Sequence, residues 1–268
     1  MQKTPISKGL IYGNASRDKF TIKRYPPSVE LSMYVQHYWI AQWDLRGCDP
    51  YVAETLPYPG INLIFDRAGT KIFGVFSGKS DKKLEGFGKV CAILFRPGGF
   101  HPFFGLPISR LTDSALELEA VFGPNSCDFE AAILNAADDS AMVQKTESFL
   151  YSLHPKSDKQ INLINLIVDT VIDDRSITQV RSICEQFKLS ERTIQNLFSN
   201  YVGVGLKWVI MRYRLQDALY RIAHGKDIDW SDLALKLGYV DQAHFIHDFT
   251  KIIGKSPADY AKFEKSHL

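Results

Sequence analysis

VRSICEQFKLSERTIQNLFSNYVG (180–203) and WSDLALKLGYVDQAHFIHDFTKIIG (230–254) can be laid over one another at an offset of about 50 residues. Val180, Ile183, Cys184 and Phe187 of the first stretch match Trp230, Leu233, Ala234 and Leu237 of the second, and Lys188 matches Gly238. One extra residue enters the second stretch at the turn, after which Ile194, Phe198 and Gly203 match Phe245, Phe249 and Gly254. Apolar residues three and four apart predict helices with one buried face. Ser190 and Asp241 stand where a second helix begins, and their side-chain oxygens can accept the free N–H groups of a first turn. Gly203 and Gly254 stop those helices, because glycine enters the left-handed conformation freely. Each stretch is therefore a helix, a tight turn and a second helix. The small residue at the fifth position, Cys184 or Ala234, suits close contact between the two. That is the helix-turn-helix pattern, whose second helix lies in a DNA major groove with its N-terminal residues at the base edges.

A long amphipathic stretch, LKWVIMRYRLQDALYRIAHG (206–225), joins the two units, and GKSPADYAKF (254–263) follows the second. Two units in tandem, so joined, resemble the AraC/XylS family of transcription regulators, and Gly254, Pro257 and Tyr260 stand where that family has its C-terminal signature. The resemblance covers residues 160–263. It extends more loosely over 20–125, where LPYPGINLIF (56–65) and FRPGGFHPFFGLPISRLTD (95–113) look like the cupin-like sensor half of one AraC subgroup. It implies double-stranded DNA as partner, RNA polymerase as a second partner if the protein activates, and base contacts at Arg192, Gln195 and Asn196. The spacing agrees, since Ile194, Leu197 and Phe198 form the inward face of the same helix. Arg192 suits guanine, and Gln195 or Asn196 suits adenine. Arg192 touching only phosphate is the plainer alternative.

His244 and His247, three apart in the second recognition helix, pose the question of a metal site. Phe245 and Phe249 face the core there, so Gln242, His244 and His247 point outward. A metal would need two further ligands, and the nearby Asp241 and Asp248 are placed as cap and flank. Contact with bases or phosphate is the favoured reading, with ordinary surface histidines as the alternative. Lys207, Arg212 and Lys251 are the candidates for contact with the DNA backbone. Residues 188–226 hold seven cations (Lys188, Arg192, Lys207, Arg212, Arg214, Arg221, Lys226) against Glu191 and Asp217, a net of +5, whereas 227–260 carry a net of −3. Phosphate neutralisation supplies most non-specific affinity, so the first unit is expected to dominate binding. The chain departs from the family where Asn196 and His247 replace common arginines and where Gly205-Leu206 replaces Ser-Pro. It departs again at Lys188, where a side chain at a left-handed turn costs about 1 kcal/mol.

Residues 20–100 follow a different grammar. Aromatic and β-branched runs such as YVQHYWIAQWDL (34–45), INLIFDRAGTKIFGVFSG (61–78) and KVCAILFRPGG (89–99) are cut by turn formers, which predicts hairpin-connected strands in a small barrel or sandwich. Helical periodicity begins near Ile108. Ser114 and Glu117 are spaced as a capping box, and 129–153 read as one or two helices. INLINLIVDTVID (161–173) carries Ile161, Ile164, Val168 and Val171 on a heptad-like stripe, which predicts packing on its own domain or part of a dimer seam. The expected fold class is α+β: a β-rich, cupin-like N-terminal barrel with helices (1–152), a linker (153–160) and an all-α domain of two helix-turn-helix units (161–268).

The N-terminal half could hold a ligand pocket, act as an enzyme or only dimerise. Trp39, Trp43, Tyr58, Phe76 and Phe95 are candidates for an apolar lining, with Glu54, Asn62, Arg96 and His101 fixing polar ends. The Pro-Gly-Gly after Arg96 is expected to turn the chain into a further strand. No His-x-His, Gly-x-Ser-x-Gly, phosphate loop or dinucleotide fingerprint occurs, so no catalysis, metal or cofactor is expected. A metal-binding cupin-type enzyme, with Glu54, His37 and His101 as ligands, and a regulator acting through protein partners are the rival classes. The four cysteines (Cys48, Cys91, Cys127, Cys184) are scattered without Cys-x-x-Cys, as reduced thiols would be. MQKTPISKGLIYGN (1–14) has no apolar core of a signal peptide, and no 18-residue apolar run occurs. The expectation is a cytoplasmic bacterial protein with no membrane partner and a candidate homodimer.

Overall fold

A computed structural model of the 268-residue chain describes Ile11, residues 18–225 and residues 228–266. Residues 1–10 and 12–14, on which the expectation of no signal peptide rests, and Lys226 of the charge count lie outside these. A β-rich half followed by an all-helical half is what the sequence led us to expect. The strands are β1 (Thr21–Tyr25), β2 (Val35–Leu45), β3 (Tyr51–Thr55), β4 (Asn62–Asp66), β5 (Lys71–Phe73), β6 (Ser80–Leu84), β7 (Gly86–Phe95) and β8 (Ala115–Glu117). Six of them pair antiparallel in the order β1-β2-β7-β4-β5-β8, and β3 pairs with β6. The hydrogen bonding is thus that of two sheets, with β1 and β8 as the edges of the larger, rather than a ring closed all round.

β2 and β7 form the long central ladder, in register from His37↔Leu94 to Leu45↔Gly86. Alternation puts Tyr38 and Ile40 of β2 and Cys91, Ile93 and Phe95 of β7 on the buried face, as period-2 side chains require. Against that face lie α1 (His101–Phe104), a 3₁₀ turn (Ile108–Leu111), α2 (Leu118–Phe122), α3 (Ser126–Leu134) and α4 (Asp139–Ser152). Two local expectations are corrected here. Residues 115–117 are strand, because β5 offers them an edge to pair with; Ser114 Oγ donates to Leu111 O at 3.0 Å instead of capping a helix. The Pro-Gly-Gly leads into α1 rather than a strand. Gly99 lets the main chain press on Tyr34, where an added Cβ would stand 2.1 Å from the Tyr34 carbonyl oxygen.

Asp139, the first residue of α4, pins that helix to the sheet. It accepts from Lys23 Nζ (2.9 Å) and Tyr25 OH (2.9 Å) of β1 and is 2.7 Å from Lys89 Nζ of β7. The hydrogen bonds from Lys89 and then Lys23 hold its carboxyl down to about 2. A lowered folded value stabilises fully above the unfolded value of 3.8 and is lost as pH falls through about 2. Asp139→Asn is therefore expected to lower stability by about 1 kcal/mol near neutral pH, a modest figure because Lys23 is largely exposed. Urea midpoints of the two proteins should differ at about pH 6 and draw together as pH falls from about 4 toward about 2.

The remaining helices are α5 (Lys159–Asp173), α6 (Val180–Phe187), α7 (Glu191–Tyr201), α8 (Leu206–His224), α9 (Trp230–Lys236), α10 (Gln242–Ile253) and α11 (Pro257–Lys265). The stripe on α5 is occupied within the chain, which removes it as a dimer seam. Ile161 joins the core that holds Phe149 and Leu150, while Ile164, Ile167, Val168 and Val171 pack with Ile183, Ile194 and Phe198. Leu166 alone of the wider stripe is strongly exposed, at 57%. The stretch expected as linker contains His154 in the left-handed region and Asp158, whose carboxylate caps α5 through Gln160 N at 2.9 Å.

α8 is the common wall of the helical half. Leu206, Val209, Ile210 and Tyr213 enter the core of the first unit, and Leu215, Ala218, Leu219 and Ile222 enter that of the second. The turn of the first unit places Lys188 at φ 54° where the second unit has Gly238 at φ 78°. Lys188→Gly is expected to raise stability by up to about 1 kcal/mol, the relief of a left-handed side chain less the added freedom of the unfolded chain. A urea denaturation series with unchanged slope would show it.

Candidate nucleic-acid interface

In the first unit, Leu189 N donates to Cys184 O (3.0 Å) across the turn, and Ser190 Oγ accepts from Thr193 N at 3.1 Å to start α7. Ile194, Leu197 and Phe198 are buried, and Phe198 shows no exposed surface. The opposite face presents Arg192, Thr193, Gln195 and Asn196 to solvent. Thr193 shares its hydroxyl with Ser190 at 2.8 Å, whereas the side chains of Arg192, Gln195 and Asn196 make no hydrogen bond among the described residues. A guanidinium and two amides stand side by side on the first two turns, with donors and acceptors unsatisfied and ready for base edges.

The second unit repeats the construction. Tyr239 N donates to Ala234 O (2.9 Å), Asp241 Oδ1 accepts from His244 N at 2.7 Å, and Phe245 and Phe249 are fully buried. His244 and His247 are exposed on the outer face. Gln242 is only half-buried and its carbonyl oxygen already accepts from Ser231 Oγ of α9 at 2.9 Å. His244 is not free either: its Nε2 lies 3.6 Å from Asp248 Oδ2 one turn on, and its ring meets Tyr239 edge-on at 5.3 Å. Asp248, placed in the sequence only as a flank, is thus the partner of His244, as their i, i+4 spacing allows; Tyr239 was not singled out in the sequence.

Among the backbone candidates, Lys207 and Lys251 are exposed. Arg212 is corrected. It is 3% exposed, with Nε donating to Pro57 O at 2.8 Å and a short bond to Gln216 Oε1. Its guanidinium lies over Tyr213 (4.5 Å) and Tyr58 (5.9 Å). A helical period alone could not tell which face of α8 the β-rich half covers. Arg214 is likewise held inside, 3.7 Å from the Tyr239 ring centroid and donating to Leu237 O at 2.7 Å, and Arg221 pairs with Asp217 at 3.0 Å. The surface charge of the first unit is therefore Lys188, Arg192 and Lys207 more than the +5 of the bare count.

The pocket candidates do not converge on one cavity. Trp39 Nε1 donates to Asn62 Oδ1 at 3.2 Å, and Glu54 is in a short ion pair with Lys79. Tyr58 OH donates to Gln36 Oε1 at 3.3 Å. Arg96 donates to Asn165 Oδ1 (3.1 Å) and Asp169 Oδ2 (2.9 Å) on α5. His101 stacks on Tyr201 of α7 at 4.0 Å, and burial lowers its pKa against the opposing pull of Asp158. Tyr58, Arg96 and His101 are thus seam residues between the halves. Phe95 is core, and Trp43 lies on Gly88, where an added Cβ would stand 2.3 Å from its ring. Two shallow openings lie among the described residues, one beside Phe20, Trp43 and Asp44 and one at the seam beside Met33, Arg96 and Asp169. Burial, then Arg24, pushes His37 down to about 4. Among the described residues no three His, Cys, Asp or Glu side chains stand together as a metal site, and no helix is long and apolar enough to cross a membrane.

Two helix-turn-helix units on one shared helix, closed by α11, define a class: the C-terminal half is a tandem helix-turn-helix domain. Residues 183–262 match the family model described as a helix-turn-helix domain, and residues 23–117 match one described as a domain of unknown function (DUF6597). The HTH-type transcriptional activator RhaR of Enterobacter sp. (strain 638) is 23% identical over 174 residues, which span 60% of this chain and 60% of that protein. ToxT from Vibrio cholerae O395 aligns over 94% of this chain and 96% of its own, at 14% identity and a TM-score of 0.39. Unsaturated fatty acid-bound ToxT from strain SCE256 aligns over 91% of each, at 12% identity and a TM-score of 0.36.

Proposed function

We propose that the protein is a sequence-specific DNA-binding regulator of transcription, acting in the cytoplasm, in which α7 and α10 read two successive major-groove segments. The observation that carries this is the pair of recognition helices built alike on α8, each with a buried apolar face and an outer face of polar side chains. In this reading Arg192, Gln195 and Asn196 contact bases in the first segment, Gln242, His244 and His247 meet bases or phosphates in the second, and Lys207 and Lys251 sit on the backbone. The division at 153–160 separates this reader from a β-rich half that senses a small molecule or dimerises, and the protein performs no catalysis. A ligand would act through different affinities for two arrangements of the halves, which is what coupling requires. If the protein activates, RNA polymerase is the further partner.

Selection of genomic fragments by the purified full-length protein at two salt concentrations tests this. Enrichment of a shared site with two blocks about one helical turn apart, weakening steeply with salt, is the expected result. Enrichment of no fragment at either salt would remove the DNA reading. For His244→Ala combined with His247→Ala we expect weaker DNA binding, by about tenfold or less, and unchanged metal content. Retained affinity with lost metal would reassign the pair as ligands.

A further inference from the structure

The two units pack separately on α8, a helix of 19 residues, the first through Val209 and Tyr213 and the second through Leu219 and Ile222. The β-rich half supplies additional ties. At the end of α7, Thr112 Oγ1 donates to Gly203 O at 2.7 Å, so close that an added Cβ on Gly203 would stand 3.0 Å from that hydroxyl; His101 covers Tyr201. At the end of α10, Lys79 N donates to Ile252 O at 3.0 Å. On α8, Trp208 Nε1 donates to Ser77 O at 3.2 Å and Arg212 to Pro57 O. The stretch 77–79 therefore holds the shared helix and the second recognition helix at once, while 108–112 holds the first.

We propose, resting on the DNA-reading function above, that the β-rich half sets the register between the two reading heads, with Thr112, Trp208 and Arg212 as positioning residues. Each recognition helix is tied at its C-terminal end, which leaves its N-terminal, base-facing residues clear. Fixing both ends of the pair preorganises them for DNA segments at one spacing and penalises others, because the second contact is gained only when geometry allows both. Arg212 makes the tie reversible. It is a cation buried on a carbonyl, an amide and two tyrosine rings, with no carboxylate partner among the described residues, an arrangement that is costly to bury and regains water when the halves part. A signal that separates the halves would therefore free the register without touching either reading face.

The test uses the full chain and synthetic duplexes that carry its preferred two-block site, with the blocks at the best spacing and moved by one or two base pairs. Each base pair turns the second block by about 34° around the duplex. The native protein should lose about 10–100-fold in affinity on such displacement. Thr112→Val combined with Trp208→Phe, which keeps side-chain size, and separately Arg212→Lys, which keeps the charge, should flatten that dependence to a few-fold, with faster amide exchange at Lys79. A loss of affinity equal at every spacing, or an unchanged spacing profile, would show contacts that merely support the fold and would overturn the proposal. So would unchanged exchange at Lys79 in both variants. Absence of any binding by the native chain is a distinct result: it sinks the DNA reading itself, since no profile then exists to flatten.

Discussion

Phe245→Ala should cost about 3–5 kcal/mol of stability, the range for emptying a buried aromatic site. The ring has no exposed surface. It lies between Tyr239 (centroids 5.4 Å apart) and Phe249 (5.6 Å), so truncation leaves a void on two sides that neighbouring rings are too stiff to fill. The loss is a large fraction of the stability of an ordinary domain. It falls first on α10, whose outer face is built on that core. Denaturant unfolding should show the lower midpoint, and footprinting should show the second block of the DNA site unprotected while the first remains. A variant with native stability and a full footprint would mean that Phe245 is not the keystone of the second unit.

Arg192→Ala should lower affinity for the preferred site by about 1–3 kcal/mol and relax preference at one base position. Arg192 stands on the first turn of α7, exposed, with no hydrogen bond to the described residues, beside Gln195 and Asn196. From there a bidentate contact with guanine is the pairing its planar fork allows. Binding selections on the native and variant chains distinguish the two roles open to it. If sequence preference is unchanged while affinity falls equally on all sites and the salt slope shrinks by about one, Arg192 touches phosphate and leaves the list of base readers.

The helical half was legible because its signals are local. Caps at Ser190 and Asp241, stops at Gly203 and Gly254, and the left-handed turn at Lys188 each concern a few consecutive residues, and a repeat states them twice. The same locality sorted Ile194 and Phe198 from Gln195 and Asn196. What the sequence withheld was the covering of one half by the other. Arg212 has the composition and setting of a phosphate-binding residue, and only the position of Pro57, 155 residues away, turns it inward. Tyr58 looked like the apolar lining of a pocket, and Arg96 and His101 like its polar ends, for the same reason: polar groups near aromatic ones line a seam as readily as a cavity. At 115–117, pairing with β5 overrode the capping pattern of Ser114 and Glu117, as non-local strand pairing overrides local preference in general.

The ties across the seam also fix an order of events in folding. Thr112 and Gly203 are 91 residues apart in the chain, Ser77 and Trp208 131, and Ile11 and Tyr260, whose carbonyl and hydroxyl meet at 2.8 Å, 249. Bringing such distant segments together carries a loop-closure penalty that the turn-linked helices of each unit largely escape. Contacts of long sequence separation are therefore slow to form. The helical half, dominated by short-range contacts, would take shape on its own timescale, and the docking of the two halves would come last. The docked state is then the last structure gained, and the natural first one to be given up on mild destabilisation.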